Sequence, residues 1–402
     1  MDRELVPRDR YTDEIRPFAG NGNAKVITGI RRCGKSSLLE LYYQSLHGAN
    51  VVYINTEFHE FSGLNDWEKL LAYIESKHRD GAENILIVDE IQNIDKWELA
   101  VRDLIARRMF DIYLTGSNAN LLSSEYSTHL GGRFNRIRML PLSYSECKTF
   151  ADRYLPEKDI LERFIRIGGF PILWTSDIPE RSCMQTVSDI AEVILSKDIE
   201  QRFNVRNPTL LRDIYRMILS TIGNYVSSNK IHSTIRTTGS RTTVDTVNEY
   251  IGYLEAANLI IRANVFDLKG RRVLDSKHKY YVTDLGLKHS AIGYRPEDIA
   301  GHMENIIFTE LMYRGYEVYV GDYNGKEIDI VAVKDGSRLY VQACSEIDGQ
   351  KTFEREFGNL SKIQDSFPKY VVMMDPGVYR GVTDGGIICC SLRDFLEKTS
   401  EF

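Results

Sequence analysis

Residues 24–41 read AKVITGIRRCGKSSLLEL. Val26 and Ile27 begin a short apolar strand, which runs into Gly29-Ile30-Arg31-Arg32-Cys33-Gly34-Lys35-Ser36. The spacing is G-x-x-x-x-G-K-S, the pattern of a phosphate-binding loop. Gly29 and Gly34 supply backbone angles and close approaches that a Cβ blocks. The N–H groups of the loop, through Ser37, then converge on phosphate oxygens at the start of the helix that carries Leu38, Leu39, Leu41 and Tyr42. In such a loop Lys35 reaches the β- and γ-phosphates of ATP as a point charge, and the Ser36 hydroxyl is a ligand for Mg²⁺.

Two further strand ends agree with this loop. Residues 85–90 read Ile-Leu-Ile-Val-Asp-Glu, four apolar residues ending in acids. The run predicts a buried parallel strand with its acids at the carboxyl end, where open α/β sheets bind ligands. Asp89 is then a metal residue, holding Mg²⁺ through water, and Glu90 polarises the attacking water. A helix N-cap gives the same letters, but the phosphate loop upstream favours the catalytic reading. Residues 111–118 read Asp-Ile-Tyr-Leu-Thr-Gly-Ser-Asn. Either Ser117 or Asn118 is placed to bond the γ-phosphate or the water, and a plain polar strand–loop junction is the alternative.

These motifs occur in a fixed order with G-G-R-F at 131–134 and Leu140-Pro141-Leu142-Ser143-Tyr144-x-Glu146. The set resembles a group of prokaryotic AAA-type ATPases with a C-terminal domain of uncharacterised function. The resemblance covers essentially the whole chain and is most specific over residues 24–146. It implies the additional-strand, catalytic-glutamate class of P-loop fold. It places Arg133 at the position of a γ-phosphate-sensing or finger arginine, with Arg136 and Arg138 as rivals. Gly168-Gly169-Phe170-Pro171 is similar to a glycine-proline motif that helps close the nucleotide pocket in related signalling ATPases; a helix–loop–helix turn is the equal alternative.

Composition bounds the rest. At 402 residues the chain exceeds one ordinary domain. Its longest apolar runs fall well short of the 18 or more residues of a membrane span, and MDRELVPRDRY at the start lacks the apolar core of a signal peptide. The six cysteines show no ordered spacing and read as reduced, which predicts a cytoplasmic protein. Cys33 lies inside the phosphate loop and is a candidate for oxidation. No metal cluster is expected beyond the Mg²⁺ site.

Along the chain, residues 1–20 read as an extended lead-in. Residues 1–146 form the ATPase core, with alternating strands and helices that predict a parallel sheet. Residues 147–205 are helical in pattern and resemble a lid. Residues 206–295 carry three helical stretches and then two strands around Lys269-Gly270-Arg271-Arg272, the order of a winged helix-turn-helix. This segment holds 14 Lys and Arg against 7 Asp and Glu, whereas the whole chain has a net charge of −6. Such local basicity is the footprint of a nucleic-acid binder. The third helix, however, carries Asp245, Glu249 and Glu255 and no cation. Any DNA contact is therefore expected through the wing, at Lys269, Arg271, Arg272, Lys277 and Lys279; docking on a protein partner is the alternative.

Residues 296–402 resemble the core of restriction-endonuclease-like folds. Glu304 falls on the first helix and Asp329 on the second strand. The E-x-K of the third strand reads Gln342-Ala343-Cys344, so the acid and the lysine are both missing there. The module is expected not to cut DNA. The fold class is thus α/β: a P-loop parallel sheet with helical lid, a winged helix and a small nuclease-like domain. The function expected is Mg²⁺-dependent ATP hydrolysis coupled to a module for nucleic acid or protein, possible also in a homo-oligomer. A nucleotide-gated module with negligible turnover and an ATP-regulated nuclease are the competing readings.

Overall fold

The computed structural model describes residues 5–118, 130–155, 159–237, 242–347 and 349–398. They form two compact units. The first comprises the chain to Pro141 together with Ala256–Asn258, and the second comprises the remainder.

The first unit is built on five strands: β1 (Ala24–Thr28), β2 (Asn50–Asn55), β3 (Asn84–Asp89), β4 (Asp111–Gly116) and β5 (Phe134–Arg138). Their order is β2-β3-β4-β1-β5 and all neighbours are parallel. β4 lies between β1 and β3, as the additional strand of the class that the resemblance implies. The helices are α1 (Asp9–Ile15), α2 (Lys35–Gln44), α3 (Trp67–Glu75) and α4 (Trp97–Arg107). Strands covered on both faces need apolar side chains at every position, not at alternate ones. β1 and β3 are buried along their whole length. Ile54, Leu70, Leu86, Val88, Leu104 and Leu114 share one core, each fully buried. Burial of such a side chain contributes roughly 1.5–3 kcal/mol.

The lead-in is not extended. Residues Asp9–Ile15 are helical and a short 3₁₀ turn, Arg16–Phe18, follows. Its anchor is Arg8, which is buried and donates to the carbonyls of Cys33 at 2.9 Å, Leu140 at 3.0 Å and Pro141 at 3.2 Å. Tyr11 Oη accepts from Leu140 N at 2.9 Å. Buried carbonyls need donors, and two residues of the lead-in supply or receive these bonds.

The second unit begins with α5 (Tyr144–Tyr154), whose capping box joins Ser143 and Glu146. α6 (Ile160–Ile167), α7 (Glu180–Val193), α8 (Pro208–Ser220), α9 (Ser228–Thr237) and α10 (Val244–Ala256) follow, with a π-helical stretch at Ile194–Gln201. The hairpin of β6 (Ile260–Asp267) and β7 (Arg272–Val282) precedes α11 (Leu285–Ile292) and α12 (Ile299–Tyr313). Then come β8 (Glu317–Tyr323), β9 (Lys326–Lys334), β10 (Ser337–Cys344), α13 (Gly349–Ser361), β11 (Lys369–Met373), β12 (Gly381–Val382), β13 (Ile387–Ser391) and α14 (Leu392–Glu397).

One expectation changes here. The hairpin is not a free wing. β6 pairs in parallel with β8, Val265 opposite Val320 and Asp267 opposite Asp322. The hairpin therefore ends an eight-stranded sheet of order β12-β13-β11-β10-β9-β8-β6-β7. The boundary expected at 295/296 is crossed by a continuous hydrogen-bonded ladder, and the segments on its two sides share one structural unit. The glycine-proline turn also lies in this unit. Gly169 N donates to Asp284 Oδ2 at 2.6 Å, and its carbonyl accepts from Leu142 N at 2.7 Å. A Cβ on Gly169 would stand 2.2 Å from the Leu142 carbonyl oxygen, so the turn requires glycine for packing alone.

Candidate nucleotide site

The loop between β1 and α2 takes the shape its letters require. Gly29 has no positive φ; its constraint is contact, because a Cβ there would lie 2.1 Å from the Met139 carbonyl oxygen. Gly34 adopts φ +108° and caps α2, and Arg32 enters the left-handed region at φ +68°. Successive N–H groups in such alternating conformations form a concave anion site. Lys35, the first residue of α2, is buried and turns back into the loop. Its Nζ donates to Gly29 O at 3.0 Å and Ile30 O at 3.3 Å, and lies 3.6 Å from Glu90 Oε1. Arg31 pairs with Glu57 at 2.9 Å.

The acids at the end of β3 lie beside this loop. The Ser36 hydroxyl bonds the Asp89 carboxylate, which also accepts from Asn55 Nδ2 at 3.2 Å and from Thr115 Oγ1. Burial pushes the Asp89 carboxyl above its ordinary range, against the pull of Thr115 and Ser36. A carboxylate short of positive charge, touching the loop serine, fits a hard divalent cation with oxygen ligands. Glu90 sits in the left-handed region at φ +56°, which turns its side chain out of line with β3. Burial pushes its pKa up, but Lys35, the Gln92 amide, Arg31 and Ser117 outweigh that, and the net shift is downward.

Three residues that the motifs did not single out complete the arrangement. Thr115 Oγ1 donates to Asp89 and accepts from Glu90 N at 3.0 Å, tying both acids to β4. Gln92 Nε2 donates to Glu90 Oε2 and to Ser117 Oγ, the latter at 3.2 Å. Gln92 Oε1 is buried without a hydrogen-bond partner. Asn55, at the end of β2, is the third. The signal for all three was position: each stands at or just beyond the carboxyl end of a strand in this sheet.

Ser117 bonds the Glu90 carboxylate, and Asn118 beside it is half-buried. Two expectations need correction. Cys33 is fully buried, and burial pushes its thiol pKa up despite Lys35 and Arg8. A buried thiol held protonated is a poor target for oxidation. Arg133 lies at the wrong end of the sheet to sense its own chain's phosphate. Its carbonyl accepts from Ala24 N, at the start of β1, whereas the loop leaves the other end after Thr28. Five strand residues separate those ends, about 16 Å. Arg138, its rival, pairs with Thr28 at the loop end, and Arg136 falls between.

This geometry defines a P-loop protein of the AAA type. A family model described as an AAA domain matches residues 21–148, and one described as a domain of unknown function (DUF8612) matches residues 158–298. The chain is 33% identical over 381 residues to an uncharacterised protein of Haemophilus influenzae, covering 92% of this chain and 94% of that one. It is 27% identical over 351 residues to an uncharacterised protein of Methanocaldococcus jannaschii, covering 83% and 76%. Among solved structures, a Walker-type ATPase of Pyrococcus abyssi matches with TM-score 0.51 and 17% identity, covering 72% of this chain and 96% of that one. The chain belongs to the family of AAA-type P-loop proteins with an uncharacterised C-terminal region that includes the Haemophilus protein.

Proposed function

We propose that the first unit binds ATP with Mg²⁺ and hydrolyses it. The observation that supports this reading most is the meeting, at one loop, of Lys35 with Glu90 and of Ser36 with Asp89. Ser36 and Asp89 would hold the Mg²⁺, which neutralises charge on the phosphates when bound. Lys35 and the loop N–H groups bind and orient the triphosphate. Phosphoryl transfer asks for positioning and electrostatics more than for covalent help from the protein. Glu90, held ionised at neutral pH, orients the water and accepts its proton late. Gln92 and Ser117 fix the Glu90 carboxylate, and the unpartnered Gln92 Oε1 gives a second acceptor for that water.

Coupling to a partner belongs to the same proposal. Among the wing cations Lys269, Arg271, Arg272 and Lys277 are exposed and suited to DNA phosphates. Arg133 serves only as a finger reaching a neighbouring copy of the chain, in a homo-oligomer. No helix among the described residues is long and apolar enough to cross a membrane.

The test pairs two variants. Lys35→Ala should lose ATP affinity in a fluorescent-nucleotide titration. Glu90→Gln should keep that affinity and lose about 10²–10⁴-fold in turnover, the usual span for a general base. Wild-type turnover in Glu90→Gln would move the role to another residue, and normal affinity in Lys35→Ala would defeat the nucleotide assignment.

A further inference from the structure

The acids of the second unit are paired from within. A cavity of about 490 Å³ between α12, β9, β10 and α13 is lined by Glu304, Asp329, Gln342 and Glu356. Lys279 lies beside it with its side chain 1% exposed, bonded to Glu304 at 2.9 Å and to Glu327 at 2.8 Å. Gln342 Nε2 donates to Glu356 Oε2 at 2.9 Å. A buried pair such as Lys279 and Glu304 does not exchange partners without leaving a charge unpaired. The pair at the nucleotide loop does not have that constraint. Arg31 Nη1 donates to Glu57 Oε1 at 2.9 Å, and the arginine side chain is 16% exposed against 52% for the glutamate. An ion pair with one partner in water is weak.

The chain fixes where that pair sits. Arg31 belongs to the phosphate loop, on the approach to Lys35. Glu57 follows β2, and its N–H donates to Asn55 Oδ1 at 2.9 Å. Asn55 Nδ2 in turn bonds Asp89, the carboxylate that Ser36 touches. Thr56 Oγ1 bonds the carbonyls of Asp89 and Glu90 at 3.1 and 2.9 Å. A ring closes through the loop, Arg31, Glu57, Asn55, Asp89 and Ser36. The guanidinium therefore stands on the side of the loop where β2 and β3 end, with Asp89 and Glu90. Against burial, its charge joins Lys35 and the Gln92 amide in holding the Glu90 carboxyl below its ordinary range. Arg133, by contrast, is at the opposite end of the sheet, beside the start of β1.

We propose that Arg31 is a further catalytic residue of ATP hydrolysis, whose guanidinium exchanges Glu57 for the γ-phosphate when the triphosphate enters. The inference rests on the ATP reading. A phosphate group offers the planar guanidinium two charged oxygens, a stronger partner than one oxygen of an exposed carboxylate. ADP has no phosphate at that place, so the exchange distinguishes the two nucleotides. In hydrolysis the water oxygen bonds to the γ-phosphorus, the bond from that phosphorus to the bridging oxygen breaks, and ADP leaves with the bridging oxygen. The water proton passes to Glu90. Arg31 moves no proton. It holds the charge spread over the γ-phosphoryl oxygens, the part that a finger arginine plays, and it does so from the same chain, which Arg133 cannot.

The experiment measures ATP turnover by the full-length protein, and its affinity for a fluorescent non-hydrolysable ATP analogue and for the matching ADP analogue. Arg31→Gln should lower turnover about 10³-fold, weaken binding of the ATP analogue and leave binding of the ADP analogue as it is. Arg31→Lys keeps the charge without the planar fork and should recover part of the turnover. Glu57→Gln removes the competing carboxylate and should raise the preference for the ATP analogue over the ADP analogue. An arginine that only braced the loop through Glu57 would give the same losses in Arg31→Gln and Glu57→Gln, with both analogues weakened alike. That result overturns the proposal, and so does wild-type turnover in Arg31→Gln. Turnover that survives Arg31→Gln but not Lys35→Ala removes the role of Arg31 alone, whereas a wild-type protein that binds neither analogue removes the ATP reading with it.

Discussion

Two places in this chain set carboxylates beside a buried lysine, and they are built in opposite ways. At the nucleotide loop the lysine is the first residue of a helix, and the acids end the strand two places away in the sheet. Backbone does much of the work there: loop N–H groups, two carbonyls on Lys35, and the Thr115 hydroxyl bridging Asp89 and Glu90. Around the C-terminal cavity the lysine, the acids and the amide come from five separate elements spread over residues 279–356. Side chains hold one another, and the backbone contributes chiefly through Asp329 and Ala343. A site set by a loop tolerates little change in the main chain. A site set by side chains tolerates backbone change and is sensitive to charge.

The sharpest way to break that contrast uses glycines. Gly29→Ala drives a methyl into the Met139 carbonyl oxygen, whose residue is itself fixed because Met139 N donates to Thr28 O at 2.7 Å. Neither backbone can move without opening the β1–β5 ladder. Nucleotide affinity should fall about as far as in Lys35→Ala, by two orders of magnitude or more, in the same fluorescent titration. Gly301 on the cavity wall would meet only the Ile222 carbonyl at 3.4 Å, an ordinary contact. Gly301→Ala should keep its melting temperature. An intact nucleotide site in Gly29→Ala would refute the claim that the loop is set by close backbone contact.

A smaller effect is expected from Thr115→Val, which keeps the shape and deletes one oxygen. Asp89 loses a donor, and Glu90 N is left buried without an acceptor. Such a loss costs about 1–3 kcal/mol, so turnover should drop roughly 10–100-fold while ATP affinity changes much less. The readout is kcat against Kd. Equal losses in both would mean that Thr115 supports the fold of the loop and not the placing of the acids.

The same contrast explains what was legible. G-x-x-x-x-G-K-S, I-V-D-E and L-T-G-S-N could be read because the loop and each strand end keep their functional residues adjacent in the chain. Thr115 and Gln92 were within or beside those stretches but carried no distinctive spacing. The parallel sheet followed from continuous apolar runs and βα alternation, whereas the order of its strands came only with the structure. The cavity was not legible, since Lys279 and Glu356 find their partners only when the hairpin joins the sheet edge and α13 covers β10.

The mildest prediction separates two lysines two residues apart on β7. Regular alternation would give Lys277 and Lys279 the same face. The ladder with β6 breaks its register between Asn264 and Val265: Asn264 pairs with His278, and Val265 pairs with Leu274. Residues 275–277 therefore bulge, which leaves Lys277 exposed, while Lys279 returns to the ladder opposite Ala263 and turns inward to Glu304 and Glu327. Phosphate contacts by exposed cations release counterions, and each contact removed should lower the slope of log affinity against log salt by about 1. In a DNA-binding titration over a series of salt concentrations, Lys269→Ala and Lys277→Ala should each show that change, with a loss of only a few fold at fixed low salt. Lys279→Met should leave the slope as it is and lower the unfolding midpoint, because it leaves buried carboxylates unpaired. A slope that shifts with Lys279 and not with Lys277 would mean that the bulge, not the ladder, carries the interior lysine, and the acids beside the cavity would lose their cation.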